Sequence, residues 1–439
     1  MTEIVTISPQ RRDEALAALR RGTVPAASLD QLATGLDRFD AALGEELDLA
    51  GHGAGIFKAV RGEYGCGKTF FARWLQERAR RSGFVSSEVQ VSETETPLHR
   101  LETVYRRLCE HLATPDCRSG ALRTIVDSWF YTLEQDVLLS AGPDSDAALL
   151  AATDRLLEQR LAGVTERAPA FAACLRAYRR ALAIGDIATA DGLLAWLSGQ
   201  PNVGARIKRA AGIRGDIDHY GALGCLQGLL TILRDAGFRG LVLVLDEVET
   251  LQRVRGDVRD RGLNALRQLM DEIDAGRYPG LYLLLTGTPA FFDGPQGVGR
   301  LPPLQQRLAV DFATDARFDN PRAVQLRLPG FDLERLVEVG LRTRALYVSH
   351  SLAAGRILQL ADTDCIRTLA RAVTGRLGGK VGVAPRLFLK KLVADVLDRI
   401  EQFPDFDPRQ HYAPTVSAQE MNDTERRAVL DVDDVPLDL

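Results

Sequence analysis

The segment Gly62-Glu63-Tyr64-Gly65-Cys66-Gly67-Lys68-Thr69 has the spacing G-x-x-x-x-G-K-T. It stands between a short apolar run, GAGIFKAVRG, which reads as a strand bounded by glycines, and FFARWLQERARRSG, which reads as a helix. Strand, glycine-rich loop, helix is the arrangement in which backbone N–H groups and the positive end of a helix face a bound phosphate. The spacing therefore predicts a cradle for the phosphates of ATP at Gly62, Glu63, Tyr64, Gly65, Cys66, Gly67, Lys68, Thr69 and Phe70. Lys68 is expected at the β- and γ-phosphates and Thr69 on a magnesium ion. The alternative, a glycine-rich turn with a chance lysine, is weakened by a second acidic motif later in the chain.

The run LVLVLDEVET puts Asp246 and Glu247 at the carboxyl end of an apolar strand, where an α/β sheet presents groups to a ligand. This is a Walker B pattern. Asp246 is expected to hold Mg2+ and Glu247 to orient or deprotonate the attacking water. Glu249 reads as a solvated or structural acid. The next strand, LYLLLTGTP, ends in Thr286 and Thr288, either of which can sense the γ-phosphate or position the water; Thr286 is favoured because it directly ends the apolar run. The bland reading is that both hydroxyls cap the turn. Two arginines are candidates to neutralise charge in phosphoryl transfer. Arg307 lies in LPPLQQRLAVDF, read as a helix end before an apolar strand, with a surface salt bridge as its alternative. Arg386 follows Pro385, which can open a helix, and simple helix charge is its alternative.

At 439 residues the chain exceeds one usual domain, and the pattern divides it. We read 1–50 as an N-terminal helical segment and 51–119 as the first part of an α/β core. Residues 120–230, rich in alanine, leucine and arginine at helical spacing, read as a helical insertion. The core resumes at 231–329, where continuous apolar runs suit parallel strands covered on both faces. A C-terminal helical lid is expected at 330–403 and an acidic tail at 404–439. The run FVSSEVQVSE reads as a strand of alternating polarity. Six cysteines without a C-x-x-C pair argue against a zinc site or a disulfide framework. No apolar stretch is long enough to span a bilayer and no secretory signal is legible, so a cytoplasmic protein without a membrane partner is expected. The net charge of -4 gives no global attraction to nucleic acid. A local basic group, Arg206, Lys208, Arg209 and Arg214 in RIKRAAGIRGD, could still meet double-stranded DNA, although a solvated helical face is the commoner explanation.

In order, GEYGCGKT, LVLVLDEVET, LLLTGTP, PLQQRL and APRLFLKKL look like an AAA-type ATPase with a C-terminal lid. More narrowly, ALRRGTVP, RGEYGCGKTFFARWL, VLDEVETLQRVR and PRLFLKKLVADVLD resemble BrxD, the ATP-binding protein family of bacteriophage-exclusion (BREX) defence systems. The likeness covers most of residues 11 to 402. It implies an α/β P-loop NTPase of AAA/RecA-like type, a parallel-sheet core with the insertion and lid described above. It further implies ATP hydrolysis in anti-phage defence, with DNA or a DNA-bound partner and other components such as a helicase-like one. The roles carry over at Gly62, Gly67, Lys68, Thr69, Asp246 and Glu247. Arg307 is placed where AAA-type proteins reach into a neighbouring subunit of a homo-oligomer, and Arg386 where a lid arginine meets nucleotide. The long segment between Lys68 and Asp246 departs from compact relatives. Two readings stay open, a motor or switch ATPase and a nucleotide-gated recruitment module with little turnover. A small-molecule kinase is disfavoured, because Glu247 beside Asp246 suits water activation.

Overall fold

Five strands, β1 (Ile56–Arg61), β2 (Val85–Gln90), β3 (Leu241–Asp246), β4 (Leu281–Gly287) and β5 (Gln325–Arg327), form one sheet in the order β2-β3-β4-β1-β5. They are seen in a computed structural model that describes residues 8–141, 145–376, 385–415, 419–420 and 426. β2 runs parallel to β3, with Val85 opposite Leu241 and Gln90 opposite Asp246. β3 runs parallel to β4, with Leu241 opposite Leu281 and Leu245 opposite Leu285. Every residue of β3 and β4 is buried, as continuous apolar runs require of parallel strands covered on both faces. The architecture is therefore α/β, as the motifs predicted.

β2 departs from its expected alternation. Ser86 and Ser87 are both buried. The Ser87 hydroxyl donates to the carbonyl of Leu108, in the helix Leu101–Glu110, at 2.8 Å, and the Ser86 oxygen accepts from Arg80 at 2.6 Å. Serines can enter a two-sided interior here because each has a hydrogen-bond partner. The apolar strand expected after Arg307 is not found. Residues 309–315 have no regular structure, and the chain pairs only later, at Gln325–Arg327, next to the Leu328 N–H that donates to Arg61 O at 2.8 Å. The Asp- and Pro-bearing stretch DFATDARFDNP between them favours turns over a ladder.

The chain divides into two compact units, and β1 passes from one to the other. The first comprises residues 1–41, 60–77 and 311–439. Its opening helix, Pro9–Arg21, is capped by the Ser8 side chain and stopped by Gly22 at φ 71°, a left-handed position that glycine adopts without penalty. Ala15, Leu16 and Leu19 of the buried stripe of this helix pack with Leu336, Ile366, Phe388 and Val393 of the C-terminal helices. Each such leucine contributes about 1.5–3 kcal/mol by burial. Arg20 grips Asp398 with two hydrogen bonds of 2.6 and 2.8 Å, and Tyr347 donates to the same carboxylate. Helices Leu333–Val348, Thr363–Arg376 and Pro385–Lys391 complete this core, the last continuing through one π turn, Leu392–Leu397.

The second unit comprises residues 42–59 and 78–310. Between β2 and β3 it carries helices Leu101–Glu110, Leu122–Ala141, Asp146–Arg167, Pro169–Ala183, Ile187–Leu197, Ala205–Ala210 and His219–Asp235. Their starts follow from caps written in the sequence: Ser145, Asp186 and Asp218 accept from Ala148, Thr189 and Gly221, and Pro169 occupies a first turn. Gly228 lets helix His219–Asp235 close on Phe171, whose ring would lie 2.6 Å from any Cβ placed there. Trp129 and Tyr178 are buried with their polar atoms satisfied by Asp235 and Asp127. Three cysteines distant in sequence, Cys109, Cys174 and Cys225, meet electrostatically around buried Tyr105, and burial pushes each thiol up, Cys109 to about 12. Their thiolates are disfavoured and they behave as small apolar side chains. Among the described residues no helix is long and apolar enough to cross a membrane.

Candidate nucleotide site

In the first unit, β1 ends at Arg61 and the helix Lys68–Arg81 begins seven residues later, leaving Gly62 to Gly67 as the loop. Gly65 and Gly67 stand at φ 83° and 96°, conformations that L side chains rarely adopt. Gly62 is needed for another reason. A Cβ there would overlap the sulfur of Cys66 and lie 3.1 Å from Leu328 O. The loop is thus folded back on itself around a buried thiol, and burial pushes that thiol up although Lys68 opposes the shift. Lys68 is buried, and its ammonium donates to the carbonyls of Gly62 at 2.9 Å and Glu63 at 3.4 Å with Tyr64 5.1 Å beneath it. Glu63, Tyr64 and Gly65 are exposed, while Thr69 and Phe70 are half-buried in the first helical turn. That turn has N–H groups without intrahelical acceptors and the positive end of the helix dipole.

The phosphate-loop helix is itself fastened. Arg73 donates to Val24 O, the Trp74 indole donates to Asp30, and buried Glu77 accepts the N–H groups of Ser28 and Leu29 at 2.9 and 2.8 Å. These three positions lie on one helix face and hold the segment that comes after the opening helix. Ser28, at φ 65°, turns the chain so that both N–H groups reach one carboxylate.

In the second unit, four polar side chains gather at the carboxyl ends of β2, β3 and β4. Asp246 is buried, and Thr286, wholly buried at the end of β4, donates its hydroxyl to the Asp246 carboxylate. The N–H of Glu247 donates to Asp246 Oδ1 at 3.1 Å and to the Thr286 oxygen at 3.2 Å. Glu247 itself has φ 60°, one of three non-glycine residues in the left-handed region among those described. A glutamate there costs about 1–3 kcal/mol and persists only where its surroundings fix it. Its carboxylate accepts from the Gln90 amide at 2.9 Å.

Thr286 therefore faces Asp246, and Thr288, also buried, precedes the short helix Pro289–Asp293 without a side-chain cap bond. Glu249, expected to be solvated or structural, is buried. Gln90 escapes the sequence motifs: its only signal is a polar residue ending β2, and its placement depends on the register that sets it opposite Asp246.

Arg307 lies exposed on the helix Pro302–Leu308 and pairs with Asp271 and, at 3.5 Å, with Asp274. Arg386, in the first unit, opens the helix Pro385–Lys391, donates to Glu420 O at 2.6 Å and lies against Gly22. The residues before Pro385 in the motif GVAPRLFLKKL lie outside the described residues, as does most of the tail. Of the basic group in the helical region, Lys208 pairs with Asp216 at 2.6 Å and Arg209 bonds its own helix.

Each taken by itself, the loop of the first unit is of a kind that suits phosphate, and the acidic end of β3 in the second is of a kind that suits a divalent cation. The loop offers a buried lysine and two glycines in conformations that L side chains rarely adopt, and Asp246 is a buried carboxylate that accepts from a hydroxyl and an N–H donor. Against known families, a model described as BREX system ATP-binding protein BrxC/D matches residues 7–416. No curated protein matches the chain.

Proposed function

The chain belongs to the BrxC/D family of BREX system ATP-binding proteins, and from that premise we propose that it is an AAA-type ATPase that hydrolyses Mg-ATP in anti-phage defence. The observation that carries hydrolysis, beyond binding, is the set Asp246, Thr286, Glu247 and Gln90, in which a strained glutamate is held beside a buried aspartate. In this reading Lys68 and the backbone of Gly62 to Thr69 bind the phosphates, with Glu63, Tyr64 and Cys66 shaping the loop and Phe70 the start of its helix. Thr69 and Asp246 would hold the Mg2+, which when bound draws charge from the β- and γ-phosphates. Glu247 orients the water and accepts its proton, and Thr286 fixes the carboxylate of Asp246. Arg386, on the C-terminal lid, and Arg307, in a neighbouring subunit of a homo-oligomer, would supply charge to the transferring phosphoryl group.

The proposed work of the cycle is on DNA or on a DNA-bound partner, a helicase-like defence component being one class, with the helical insertion as the surface of contact. A second reading is favoured by two contacts: Glu247 is engaged by Gln90, and Arg307 by Asp271 and Asp274. A chain so arranged turns over slowly alone and serves as a nucleotide-gated recruitment switch until a partner releases these groups. Steady-state ATP hydrolysis by wild type, Lys68→Ala and Glu247→Gln, with and without duplex DNA and alongside particle mass, separates the two. DNA-stimulated turnover lost in both variants, with a larger ATP-bound particle in Glu247→Gln, supports the motor. Binding without turnover or assembly supports the switch.

A further inference from the structure

The backbone of Glu247 leads directly into a 3-10 turn, Val248–Gln252, and then into the helix Gly256–Asp274. A turn of this kind ends in carbonyls that its own backbone does not satisfy. Here they are met by one side chain. The guanidinium of Arg259, on the helix just beyond, donates Nε to Leu251 O at 3.0 Å and Nη2 to Gln252 O and Val254 O at 3.0 and 2.9 Å, while Nη1 donates to the Gln296 side chain. Arg259 is 8 % exposed. Those acceptors are neutral, whereas Arg261 of the same helix lies exposed in an i,i+4 ion pair with Asp257. Withdrawing a guanidinium from water costs several kcal/mol, so one that only filled space would be a poor occupant of this interior.

A second contact, independent of charge, holds the same turn. Gly262, one helical turn after Arg259 and on the same face, lets the helix close on Leu251: a Cβ there would lie 2.7 Å from Leu251 Cδ2. The turn is thereby fixed by hydrogen bonds at its end and by steric fit at its middle. At its start, the Glu247 N–H is fixed by Asp246 and Thr286. Relaxation of Glu247 from φ 60° to the ordinary right-handed region would rotate the whole turn, and Arg259 opposes that rotation.

We infer that Arg259 is a positioning residue for hydrolysis, holding the turn after Glu247 so that this glutamate keeps its left-handed backbone and its carboxylate its direction. This role rests on Glu247 being the water-activating group, and it requires no contact between Arg259 and nucleotide.

The test uses the full chain carrying Arg259→Lys and Arg259→Met, with Glu247→Gln alone and combined with Arg259→Met. Lysine keeps charge and much of the volume but lacks the planar fork. We expect kcat to fall about ten- to a hundredfold in both Arg259 variants, as a misplacement of order 1 Å does, while the dissociation constant for ATP stays within about twofold. We expect no further loss of kcat when Arg259→Met is added to Glu247→Gln. Amide hydrogen exchange of a peptide spanning 247–254 is expected to rise at least tenfold in Arg259→Lys, against unchanged exchange in β3. Unchanged exchange, unchanged kcat in a folded variant, or parallel loss of kcat and ATP affinity would each overturn the inference. If Glu247→Gln hydrolyses ATP at the wild-type rate, the hydrolytic reading of Glu247 fails instead, and the exchange measurement still decides whether Arg259 fixes the turn.

Discussion

Gly62→Ala should disable the phosphate loop because of one sulfur atom. Gly62 is not among the glycines in the left-handed region, so alanine is compatible with its backbone; the obstacle is steric, since the new Cβ overlaps Cys66 Sγ and sits 3.1 and 3.4 Å from Leu328 O and Cβ. Cys66 and Leu328 are both buried, so neither can swing into solvent. Overpacking of this kind costs about 1–3 kcal/mol, which is about 5- to 150-fold in an equilibrium constant if the strain is relieved by opening the loop. Cys66→Ala removes the overlapping atom and leaves only the Leu328 contact, which a shift of a few tenths of an ångström relieves. The double variant should therefore recover most of the loss, giving a favourable coupling of about 1–2 kcal/mol between the two substitutions. Titration with a fluorescent ATP analogue, paired with thermal unfolding, measures this on wild type, both single variants and the double. Additive losses, or wild-type affinity in Gly62→Ala, would refute the account of why the first glycine is required.

Four further outcomes are expected. Thr286→Val keeps the side-chain shape and removes a donor to a charged acceptor, worth about 1.5–3 kcal/mol; the Mg2+ concentration for half-maximal ATP turnover should rise about tenfold or more, and an unchanged Mg2+ titration rejects the assigned contact. Glu77→Ala leaves the buried N–H groups of Ser28 and Leu29 without their acceptor, and chemical denaturation should show a loss of about 1–3 kcal/mol for each well-buried group. Arg307→Ala breaks only exposed pairs, so stability should change by less than about 1 kcal/mol; if the arginine completes a neighbour's site, turnover of the assembled protein collapses all the same, and equal loss in dilute monomer contradicts the role across subunits. Asp362 accepts the Cys365 N–H and then an Arg409 hydrogen bond, which hold its carboxyl below the usual range. Its stabilising contribution is therefore present above about pH 4 and disappears as pH falls through the lower folded value. Melting curves of Asp362→Asn should be flatter than wild type on the acid side, and identical slopes would count against this.

The sequence by itself determined the strand, loop and helix around Lys68, because glycine spacing and hydrophobic period are local properties of adjacent residues. It also determined the pair Asp246–Glu247 at a buried strand's end and the mainly helical character of residues 120–230, where caps such as Asp186 and Asp218 are written beside the helices they start. Tertiary structure decided what depends on partners far away in the chain. That β2 lies beside β3, so that Gln90 meets Glu247, follows from sheet order and not from either strand's own pattern. The same holds for Thr286, whose hydroxyl is turned to Asp246, and for Arg307, whose exposed helix meets Asp271. Ser86 and Ser87 carry the pattern of a half-solvated strand, yet the helix Leu101–Glu110 covers them and supplies a carbonyl for one. Nor is the strain at Glu247 legible from its residue type, since a glutamate has no left-handed preference and takes φ 60° only because Asp246, Thr286 and the turn held by Arg259 together oppose its release. Local periodicity records which residues lie on one face of an element. Which atoms then meet is set by long-range closure, whose energy is distributed over groups that no short window of sequence contains.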